Sequence, residues 1–474
     1  MTLWGFDEIA ERTGGRWLRA PGKGDRPPVG AAIDTREIKP GMLFAAFKGE
    51  ATDGHLHLPA AAAAGAVMAI VTDADAVPAG VGMPLLLIGD ARAALATLAS
   101  WWRDLVPGLK VIAITGSNGK TTTCRLMHAA ACTEAVGGAG GLRGTAPSKS
   151  FNNELGVPIT LLNARPDDRV LVCEVGMSTP GEIAARCRTA RPDAAIITTV
   201  AEAHYAGLGS LEAIAKEKAS VAVGIGSDGL VVVPAGLPVL DDALGACGTK
   251  ARIVRVGPDE AGGTRLGDVR TVPGGTAFTL GGAAFTVPLA GAHNASNAAL
   301  AVVVARWLGV ADDAIAGGLA AAEPVPMRLE RSVITTDPPI TIINDAYNAN
   351  PGSMRAAIAV LAEAPVIEGG RRVAVLGDML ELGAITHRAH ADVLAAARDA
   401  GIDAVCTLGP SFAAAAMEVG SDHSEPTTCE AAVGRIASLV RPGDTVLIKG
   451  SRGVRLERLV RELRQRHAHA GSNA

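Results

Sequence analysis

The chain has 474 residues, of which 48% are hydrophobic, 3% aromatic and 19% charged, and its formal net charge at pH 7 is −4. This length is too great for a single core and favours about two to four domains, while the apolar fraction excludes a disordered chain. The weak net charge and the scarcity of aromatic residues argue against nucleic acid or a membrane surface as partners.

The sequence also lacks the features of an exported or membrane-inserted protein. Its seven cysteines are scattered without a C-x-x-C pair, so neither disulfides nor a zinc site is predicted. The N-terminal stretch has no signal-peptide pattern, and the apolar run at 60–71 is too short to span a bilayer. We therefore expect a cytoplasmic protein in which residues 60–71 form a buried helix leading into a strand.

The predicted elements divide the chain into three α/β domains. Residues 1–105 mix short strand-like runs with alanine-rich helical stretches and end near a Pro-Gly pair typical of a linker. In residues 106–325, β-rich runs at helical intervals predict βαβ units and a mostly parallel sheet, with a small antiparallel insertion at 251–290. Residues 326–474 hold four more buried-strand candidates and predict a Rossmann-like domain, without the G-x-G-x-x-G of a dinucleotide site.

The stretch VIAITGSNGKTTT at 111–123 predicts a strand, a glycine-rich turn and the start of a helix. Free N–H groups and the dipole at a helix start favour an anion, Lys120 would reach terminal phosphates, and the Thr121 hydroxyl would ligate Mg²⁺. The strict G-x-x-x-x-G-K-[ST] pattern needs glycine where this chain has Ile114, so the loop is a shorter relative, and an ordinary glycine-rich turn is the alternative. We expect a nucleoside triphosphate bound by Gly116, Ser117, Asn118, Gly119, Lys120, Thr121 and Thr122.

Two polar residues follow other strand candidates of the central domain. Glu174 ends the run VLVCE, and His204 follows AAIITTV. Because ligands of open α/β sheets bind at the carboxyl ends of the strands, both side chains are expected beside the phosphate loop as metal ligands. A solvated glutamate and a hydrogen-bonded core histidine are the alternatives.

Several longer motifs occur together in the order of a known family. They are DTREIKPGMLFAAFKGEATDGH (34–55), TGSNGKTT (115–122), FNNELGVPITLL (151–162), CEVGMSTPGEI (173–183), EAHYAGLGSLEAIAKEK (202–218), GAHNASNAALA (291–301), PMRLE (326–330), INDAYNANPGSM (343–354), LGDMLELG (376–383) and IKGSR (448–452). Over nearly its whole length the chain resembles the Mur ligases of peptidoglycan synthesis, and its N-terminal motif resembles their uridine-nucleotide domain.

Within that family, FNNELGVP and DAYNANPGSM are most similar to the ligase that adds D-alanyl-D-alanine to UDP-N-acetylmuramoyl-tripeptide. The Asp-Asn-Pro-Arg motif expected of the diaminopimelate- or lysine-adding ligase is absent. The resemblance implies a monomeric amide ligase that uses ATP and two Mg²⁺ ions. Members of the family phosphorylate the terminal carboxylate of the peptide, and the incoming amine attacks the acyl phosphate.

The resemblance also implies roles for residues of the central domain. Lys120 would stabilise charge on the transferred γ-phosphoryl group, and Lys218 would be carried as a carbamate, which turns a cation into an anionic metal ligand. Lys216 is the alternative carbamate, and an exposed helix face is the ordinary explanation for both lysines. The implied catalytic residues are Lys120, Glu174, His204 and Lys218, and the implied metal ligands are Thr121, Glu174, His204 and Lys218.

The remaining implied roles concern the nucleotide and the two substrates. Asn294 would face the adenine edge, with Asn297 or a helix N-cap as alternatives. Arg328 and Asp345, the latter on the first strand of the third domain, would meet ATP phosphate and ribose when that domain closes and expels water. The implied D-alanyl-D-alanine contacts are Tyr347, Asn348, Asn350, Lys449, Ser451 and Arg452. Nucleotide binding is the alternative for the first three, and ordinary solvated side chains are the alternative for Lys449 and Arg452.

The implied uridine-diphosphate contacts are Asp34, Thr35 and Arg36, for which a turn that caps a strand is the alternative. Asp53, Gly54 and His55 also follow the family pattern.

Two other functions are compatible with the phosphate loop. A sister ligase, either the diaminopimelate-adding type or a folylpolyglutamate synthetase, would keep the ATP site and change the outer domains. A P-loop ATPase switch would hydrolyse ATP without an acceptor, and it would leave Glu174, His204 and the whole third domain without a purpose.

Overall fold

The computed structural model describes residues 4–49, 52–133, 140–202, 205–258 and 263–468. Within these ranges the strands form three mostly parallel sheets of five, nine and six strands. Helices alternate with the strands along the chain. The predicted class, α/β with three domains, is therefore confirmed. The domain limits at 105/106 and 325/326 stay predictions.

The N-terminal sheet has the strand order β1-β5-β4-β3-β2. Its helix α2 leads into the buried strand β4, as predicted for residues 60–71. The helix α3 begins after Asp90, whose carboxylate accepts the backbone N–H groups of Arg92 (2.8 Å) and Ala93 (3.2 Å) and so caps the helix. The elements are α1 (Phe6–Thr13), β1 (Arg16–Arg19), β2 (Ala31–Ala32), β3 (Leu43–Ala46), α2 (Leu58–Ala63), β4 (Met68–Val71), β5 (Leu85–Leu87) and α3 (Ala91–Leu105).

The central sheet has the order β14-β13-β12-β11-β10-β9-β6-β8-β7, with β6 between β9 and β8. Alternate residues of β6 enter two different cores, Val111 and Ala113 on one face and Ile112 and Ile114 on the other. Burial on both faces explains why this strand is a continuous apolar run. The elements are β6 (Lys110–Thr115), α4 (Lys120–Ala131), β7 (Gly144–Thr145), α5 (Gly156–Leu162), β8 (Val170–Glu174), α6 (Glu182–Ala190), β9 (Ala194–Ile197), α7 (Tyr205–Leu208), α8 (Leu211–Ala219), β10 (Leu230–Pro234), α9 (Pro238–Ala246), β11 (Arg252–Gly257), β12 (Gly263–Val272), β13 (Gly275–Leu280), β14 (Ala283–Val287), α10 (Ala292–Trp307) and α11 (Asp312–Ala320).

The prediction of a small antiparallel insertion at 251–290 was only partly right. Strands β12, β13 and β14 pair antiparallel, but β11 pairs parallel with β10 and with β12. These strands therefore extend the central sheet instead of forming a separate unit. The Gly- and Thr-rich composition indicated the turns but carried no information on where the sheet ended.

The third sheet has the order β15-β16-β20-β17-β18-β19, in which β15 alone of the described strands pairs antiparallel. Asp345 ends β16, so its predicted place on the first strand of this domain was wrong, because β15 comes before it. None of the helices in the described ranges is both long enough and apolar enough to cross a membrane. The elements are β15 (Glu330–Ile334), β16 (Ile340–Asp345), α12 (Pro351–Ala362), β17 (Arg372–Gly377), α13 (Thr386–Asp399), β18 (Ala404–Leu408), α14 (Pro410–Val419), β19 (His423–Glu425), α15 (Glu430–Ala437), β20 (Thr445–Lys449) and α16 (Glu457–Ala468).

Candidate active site

The phosphate loop, residues 116–119, joins β6 to α4 and is anchored on the end of β9. The backbone N–H of Asn118 donates to Thr199 Oγ1 at 2.9 Å. Gly116 has φ +147°, and a Cβ atom at this position would lie 1.9 Å from Thr198 Oγ1. The neighbouring strand therefore holds the loop in place and leaves no room for a side chain at its first glycine.

The last glycine of the loop is packed against α10. Gly119 is the residue before α4 and has φ +79°. A Cβ atom there would lie 2.8 Å from Asn297 Oδ1. Both the left-handed backbone and the close approach of the Asn297 side chain favour glycine at this position.

Lys120 begins α4 and donates from Nζ to the Gly116 carbonyl at 2.8 Å. Burial lowers the pKa of this ammonium group, Glu174 opposes the shift, and Arg328 adds to it. The lysine side chain therefore folds back over the loop, beside one carboxylate and one guanidinium, where a bound phosphate would meet positive charge.

The Thr121 hydroxyl and the Glu174 carboxylate meet directly. Thr121 donates to Glu174 Oε2 at 2.8 Å, and Asn152 Nδ2 donates to Glu174 Oε1 at 2.8 Å. The Ser150 hydroxyl lies 2.8 Å from Thr121 Oγ1. Glu174 is 1% exposed, and this hydroxyl and carboxylate are the hard oxygen donors that Mg²⁺ prefers. The donor set therefore fits the predicted metal.

The rest of the predicted metal site is incomplete in the described part of the chain. His204 lies outside the described residues. Among the residues that are described, no group of three or more His, Cys, Asp or Glu side chains is arranged to hold a metal. Thr121 and Glu174 are therefore the two predicted metal ligands that the described residues bring into direct contact.

The two lysines of α8 have opposite environments. Lys218 is 1% exposed, whereas Lys216 is exposed. Burial lowers the pKa of Lys218 well below its usual value, and the Lys120 charge acts in the same direction, while Glu217 opposes it. The Glu217 carboxylate accepts the backbone N–H groups of Gly181 (2.8 Å) and Ile183 (2.9 Å). The exposed-face explanation is therefore wrong for Lys218 and right for Lys216.

Asn294 and Asn297 lie on the first turns of α10, and both are buried. The residue at the N-cap of this helix is Gly291, so the alternative that one of the asparagines caps the helix was wrong. Asn294 Nδ2 donates to the Ala290 carbonyl at 2.8 Å. Its Oδ1 accepts Asn297 Nδ2 at 3.4 Å, so the two amides are joined beside Gly119. Both line the cavity described below and stay candidates for the adenine contact.

The third domain reaches the first turn of α4, directly after the phosphate loop, through Arg328. Its Nη2 donates to Thr121 Oγ1 at 2.8 Å and to Ser150 Oγ at 3.4 Å. Its guanidinium carbon lies 4.1 Å from the centre of the Tyr347 ring, and that of Arg452 lies 5.9 Å from the same ring. Stacking on Tyr347 therefore aims Arg328 at the loop.

Asp345 and the buried Lys449 form an ion pair at the carboxyl ends of β16 and β20. Lys449 Nζ lies 2.5 Å from Asp345 Oδ2 and donates to the Asn348 carbonyl at 2.9 Å. Lys449 is 2% exposed.

Besides Arg328, Asn350 also joins the third domain to the central domain. Its Nδ2 donates to Asn118 Oδ1 in the phosphate loop at 2.6 Å.

These residues enclose a cavity of about 630 Å³ between the central and third domains. It is lined by fourteen of the predicted site residues, and seven others, all described, are not part of its lining. The lining residues are Ser117, Asn118, Gly119, Lys120, Thr121, Thr122, Glu174, Asn294, Arg328, Asp345, Tyr347, Asn348, Asn350 and Lys449, and those outside the lining are Gly116, Lys218, Ser451, Arg452, Asp34, Thr35 and Arg36.

Comparison with known proteins identifies the family. The model of the Mur ligase middle domain matches residues 114–305, that of the Mur ligase glutamate ligase domain matches 327–452, and that of the Mur ligase catalytic domain matches 29–103. The UDP-N-acetylmuramoyl-tripeptide–D-alanyl-D-alanine ligase of Bacillus subtilis strain 168 is 38% identical over 446 residues, covering 92% of this chain and 93% of the relative. The chain belongs to the Mur ligase family.

Solved structures agree with this assignment. This Mur ligase is similar to a crystal structure of MurF from Acinetobacter baumannii, with a TM-score of 0.81 and 29% identity over 98% of this chain and 99% of that one. It is also similar to MurF ligase from Thermotoga maritima in complex with ADP, with a TM-score of 0.74 and 26% identity over 93% of this chain and 98% of that one. The resemblance predicted from the motifs is confirmed, and the chain is an enzyme of this family.

The uridine-nucleotide residues predicted for this Mur ligase lie in the N-terminal domain. Arg36 Nη2 lies 2.6 Å from Asp34 Oδ2, and this contact lowers the pKa of Asp34 to about 2. Thr35 begins the 3₁₀ turn that Asp34 caps. The next residue, Glu37, pairs with Lys149, so the turn is tied to the central-domain segment that also carries Ser150 and Asn152.

The nearby Asp53 and His55 are joined to each other rather than arranged around an open site. The Asp53 carboxylate lies 2.6 Å from His55 Nδ1, and His55 Nε2 accepts the backbone N–H groups of Thr72 (3.1 Å) and Asp73 (3.2 Å). His55 is buried. This histidine therefore connects the end of β4 to the 3₁₀ turn that follows Asp53.

Sequence reasoning missed several polar residues of the site. Ser150 and Asn152 hold Thr121 and Glu174, and His293 lines the cavity. Asn152 lies inside the quoted motif FNNELGVP, so the motif was visible although its contact with Glu174 was not. No local sequence pattern identifies Ser150, because its role depends on the segment between β7 and α5 lying against Thr121 at the start of α4.

Proposed function

We propose that this Mur ligase joins D-alanyl-D-alanine to UDP-N-acetylmuramoyl-tripeptide with ATP, releasing ADP and phosphate. The observation that carries the proposal is the cavity between the central and third domains, where a phosphate loop faces a buried threonine-glutamate pair and an arginine from the other domain. The names of the relatives support the choice of substrates.

The chemistry proceeds in two transfers. A carboxylate oxygen of the tripeptide attacks the γ-phosphorus of ATP, the bond to ADP breaks, and an acyl phosphate forms. The amino group of D-alanyl-D-alanine then attacks the acyl carbon. The bond to phosphate breaks, a proton is lost from nitrogen, and the new amide remains. Activation is needed because a free carboxylate offers the amine no leaving group.

The residues of the cavity are suited to the first transfer. Lys120 places positive charge over the loop, and Arg328 supplies a second cation from the third domain. The two cations would stabilise the negative charge that develops on the transferred γ-phosphoryl group. Thr121 and Glu174 would hold Mg²⁺, which supplies charge neutralisation on the ATP phosphates when bound. We assign a second metal to His204 and to a carbamate on Lys218.

Closure of the third domain protects the intermediate. The contacts of Arg328 with Thr121 and of Asn350 with Asn118 bring that domain against the loop. An acyl phosphate formed between the two domains is thereby shielded from water until the amine arrives. We assign Asn294 to adenine, Asp345 to ribose, and Ser451, Arg452 and Lys449 to the dipeptide side.

The substrates would approach from different domains. The turn formed by Asp34, Thr35 and Arg36 is our candidate for the uridine diphosphate, and its exposed guanidinium suits a pyrophosphate. We further propose that the enzyme acts as a cytoplasmic monomer on small-molecule substrates.

The deciding measurement is phosphate release from purified protein with Mg-ATP, adding each substrate alone and then both together. Release that requires both substrates, with a UDP-pentapeptide found by mass spectrometry, is expected. ATP turnover that ignores both substrates would instead establish an ATPase switch, and turnover with another amine would establish a sister ligase.

Replacing Gly119 with alanine should raise the KM for ATP about tenfold. The left-handed backbone disfavours alanine by about 1 kcal/mol, and the methyl group would push against the Asn297 amide and displace the loop. Gly181→Ala is the matched control, since Gly181 has φ +86° but open space around its Cβ position. An equal rise in the KM for ATP in both variants would contradict a specific role for the close packing of Gly119 against Asn297.

A further inference from the structure

The loop that follows β17, residues 378–381, lies outside the cavity but is bound to the segment that we assign to the dipeptide. The backbone N–H of Ser451 donates to the Asp378 carbonyl at 3.1 Å. The backbone N–H of Leu380 donates to Ser451 Oγ at 2.9 Å. The 378–381 loop therefore holds Ser451 through both its backbone and its hydroxyl group.

The same loop reaches the central domain at its other end. The backbone N–H of Ala206 donates to the Glu381 carbonyl at 3.1 Å. Ala206 lies in α7, which directly precedes α8 and its buried Lys218. A single short loop thus connects the dipeptide side of the third domain with the metal side of the central domain.

A buried histidine holds the middle of this loop. His390, in α13, is 0% exposed, and its Nε2 accepts the backbone N–H of Met379 at 3.0 Å. Its Nδ1 lies 2.7 Å from the Thr386 carbonyl. Because a carbonyl can only accept and a backbone N–H can only donate, Nδ1 carries the proton and the ring is neutral. Burial, which lowers the pKa of His390, acts in the same direction.

The His390 ring is enclosed by an aromatic side chain and by a hydrogen-bonded carboxylate. The ring meets the Phe412 ring edge to face, with centroids 4.5 Å apart. The nearby Asp378 carboxylate is occupied by the backbone N–H groups of Ser411 (3.0 Å) and Phe412 (2.8 Å) at the start of α14. The carboxylate is 3.8 Å from His390 Nε2, so the Met379 amide is the nearer partner of that nitrogen.

We propose that His390 is a positioning residue for the incoming dipeptide. By accepting the Met379 amide it holds the 378–381 loop, which binds Ser451 at one end and α7 of the central domain at the other. This inference rests on the proposed function for the identity of the dipeptide. The coupling of the two domains through the loop does not depend on it.

Two substitutions separate this role from simple packing. In His390→Gln the side-chain oxygen can take the place of Nε2 and accept the Met379 amide, whereas the shorter His390→Asn reaches only the Nδ1 position. We expect the KM for D-alanyl-D-alanine to rise about tenfold in His390→Asn and less than about threefold in His390→Gln. The KM for ATP should stay within about twofold in both.

The control is His387→Asn on the exposed side of the same helix, where the KM for the dipeptide should not change. An unchanged dipeptide KM in His390→Asn, with only a lower melting temperature, would reduce His390 to a packing residue.

Amide hydrogen exchange provides a readout without substrates. Exchange at Leu380 and Ala206 should accelerate in His390→Asn but not in His390→Gln. Unchanged exchange in His390→Asn would overturn the inference even if the enzyme used another amine. Failure of wild-type enzyme to make the UDP-pentapeptide would overturn the proposed function alone.

Discussion

Lys120→Met is expected to lower kcat about 10³-fold while the protein stays folded. Methionine keeps the unbranched apolar stem of lysine, one atom shorter, but removes the charge over the phosphate loop. Preorganised charge of this kind is typically worth about two to three orders of magnitude in kcat. Burial already lowers the pKa of Lys120, so removing its charge should not destabilise the fold.

The measurement is kcat for phosphate release with both substrates present, together with the melting temperature. Lys110→Met is the matched control, since Lys110 begins β6, the strand that leads into the phosphate loop, and its half-exposed side chain makes an ion pair with Asp193 at 3.2 Å. Its kcat should stay within about twofold, because such surface pairs contribute little. A Lys120→Met enzyme that keeps more than about a tenth of wild-type kcat would contradict the assigned role.

Local chemistry made the phosphate loop predictable. The buried run VIAIT, the glycine turn and the helix start are adjacent in sequence, and each requires its own residue types. Gly116 and Gly119 are each needed for a different close approach, to Thr198 and to Asn297. Those partners belong to other strands and helices. The sequence therefore showed that glycines stand at these positions but not which residues they pack against.

Contacts that depend on strand order were beyond sequence reasoning. Asp345 and Lys449 each end a predicted buried strand, and their pairing follows from β16 lying beside β20 in parallel register. The order of strands in a sheet is set by packing across the whole domain and leaves no trace in either run alone. The edge strand β15 was missed for a different reason. It is half-exposed and contains no long apolar run that would predict a buried strand.

The roles in the third domain show the same limit. Arg328 was predicted near the nucleotide and Asn350 near the dipeptide, with the nucleotide as its alternative, but their contacts with Thr121 and Asn118 join residues more than 200 positions apart. Such contacts depend on how two domains meet. Motifs place residues within each domain and carry no information about the angle between the domains.

Removal of the Lys218 amine should also lower kcat strongly, and an added carboxylate should restore part of the lost activity. We expect Lys218→Ala to lower kcat about 10³-fold, because the proposed carbamate would supply an anionic metal ligand that alanine cannot replace. The carbamate forms when the neutral amine attacks the carbon of CO₂ and releases a proton, and burial of Lys218 favours that neutral amine. Short carboxylates such as acetate or propionate should restore part of the activity, since they fit the space left by the side chain and return the negative charge.

Lys216→Ala is the matched control on the same helix, and its kcat should not change because that side chain is exposed. Rescue also separates lost chemistry from damaged folding, since an added anion does not refill the core around an unfolded helix. Labelled CO₂ should give a ¹³C NMR signal in wild-type enzyme and in Lys216→Ala, and none in Lys218→Ala. A signal that survives in Lys218→Ala, or a Lys216→Ala enzyme that loses activity, would move the modification to Lys216. An inactive Lys218→Ala enzyme without rescue and without a signal in wild type would leave Lys218 as a buried amine that acts through its position next to Lys120.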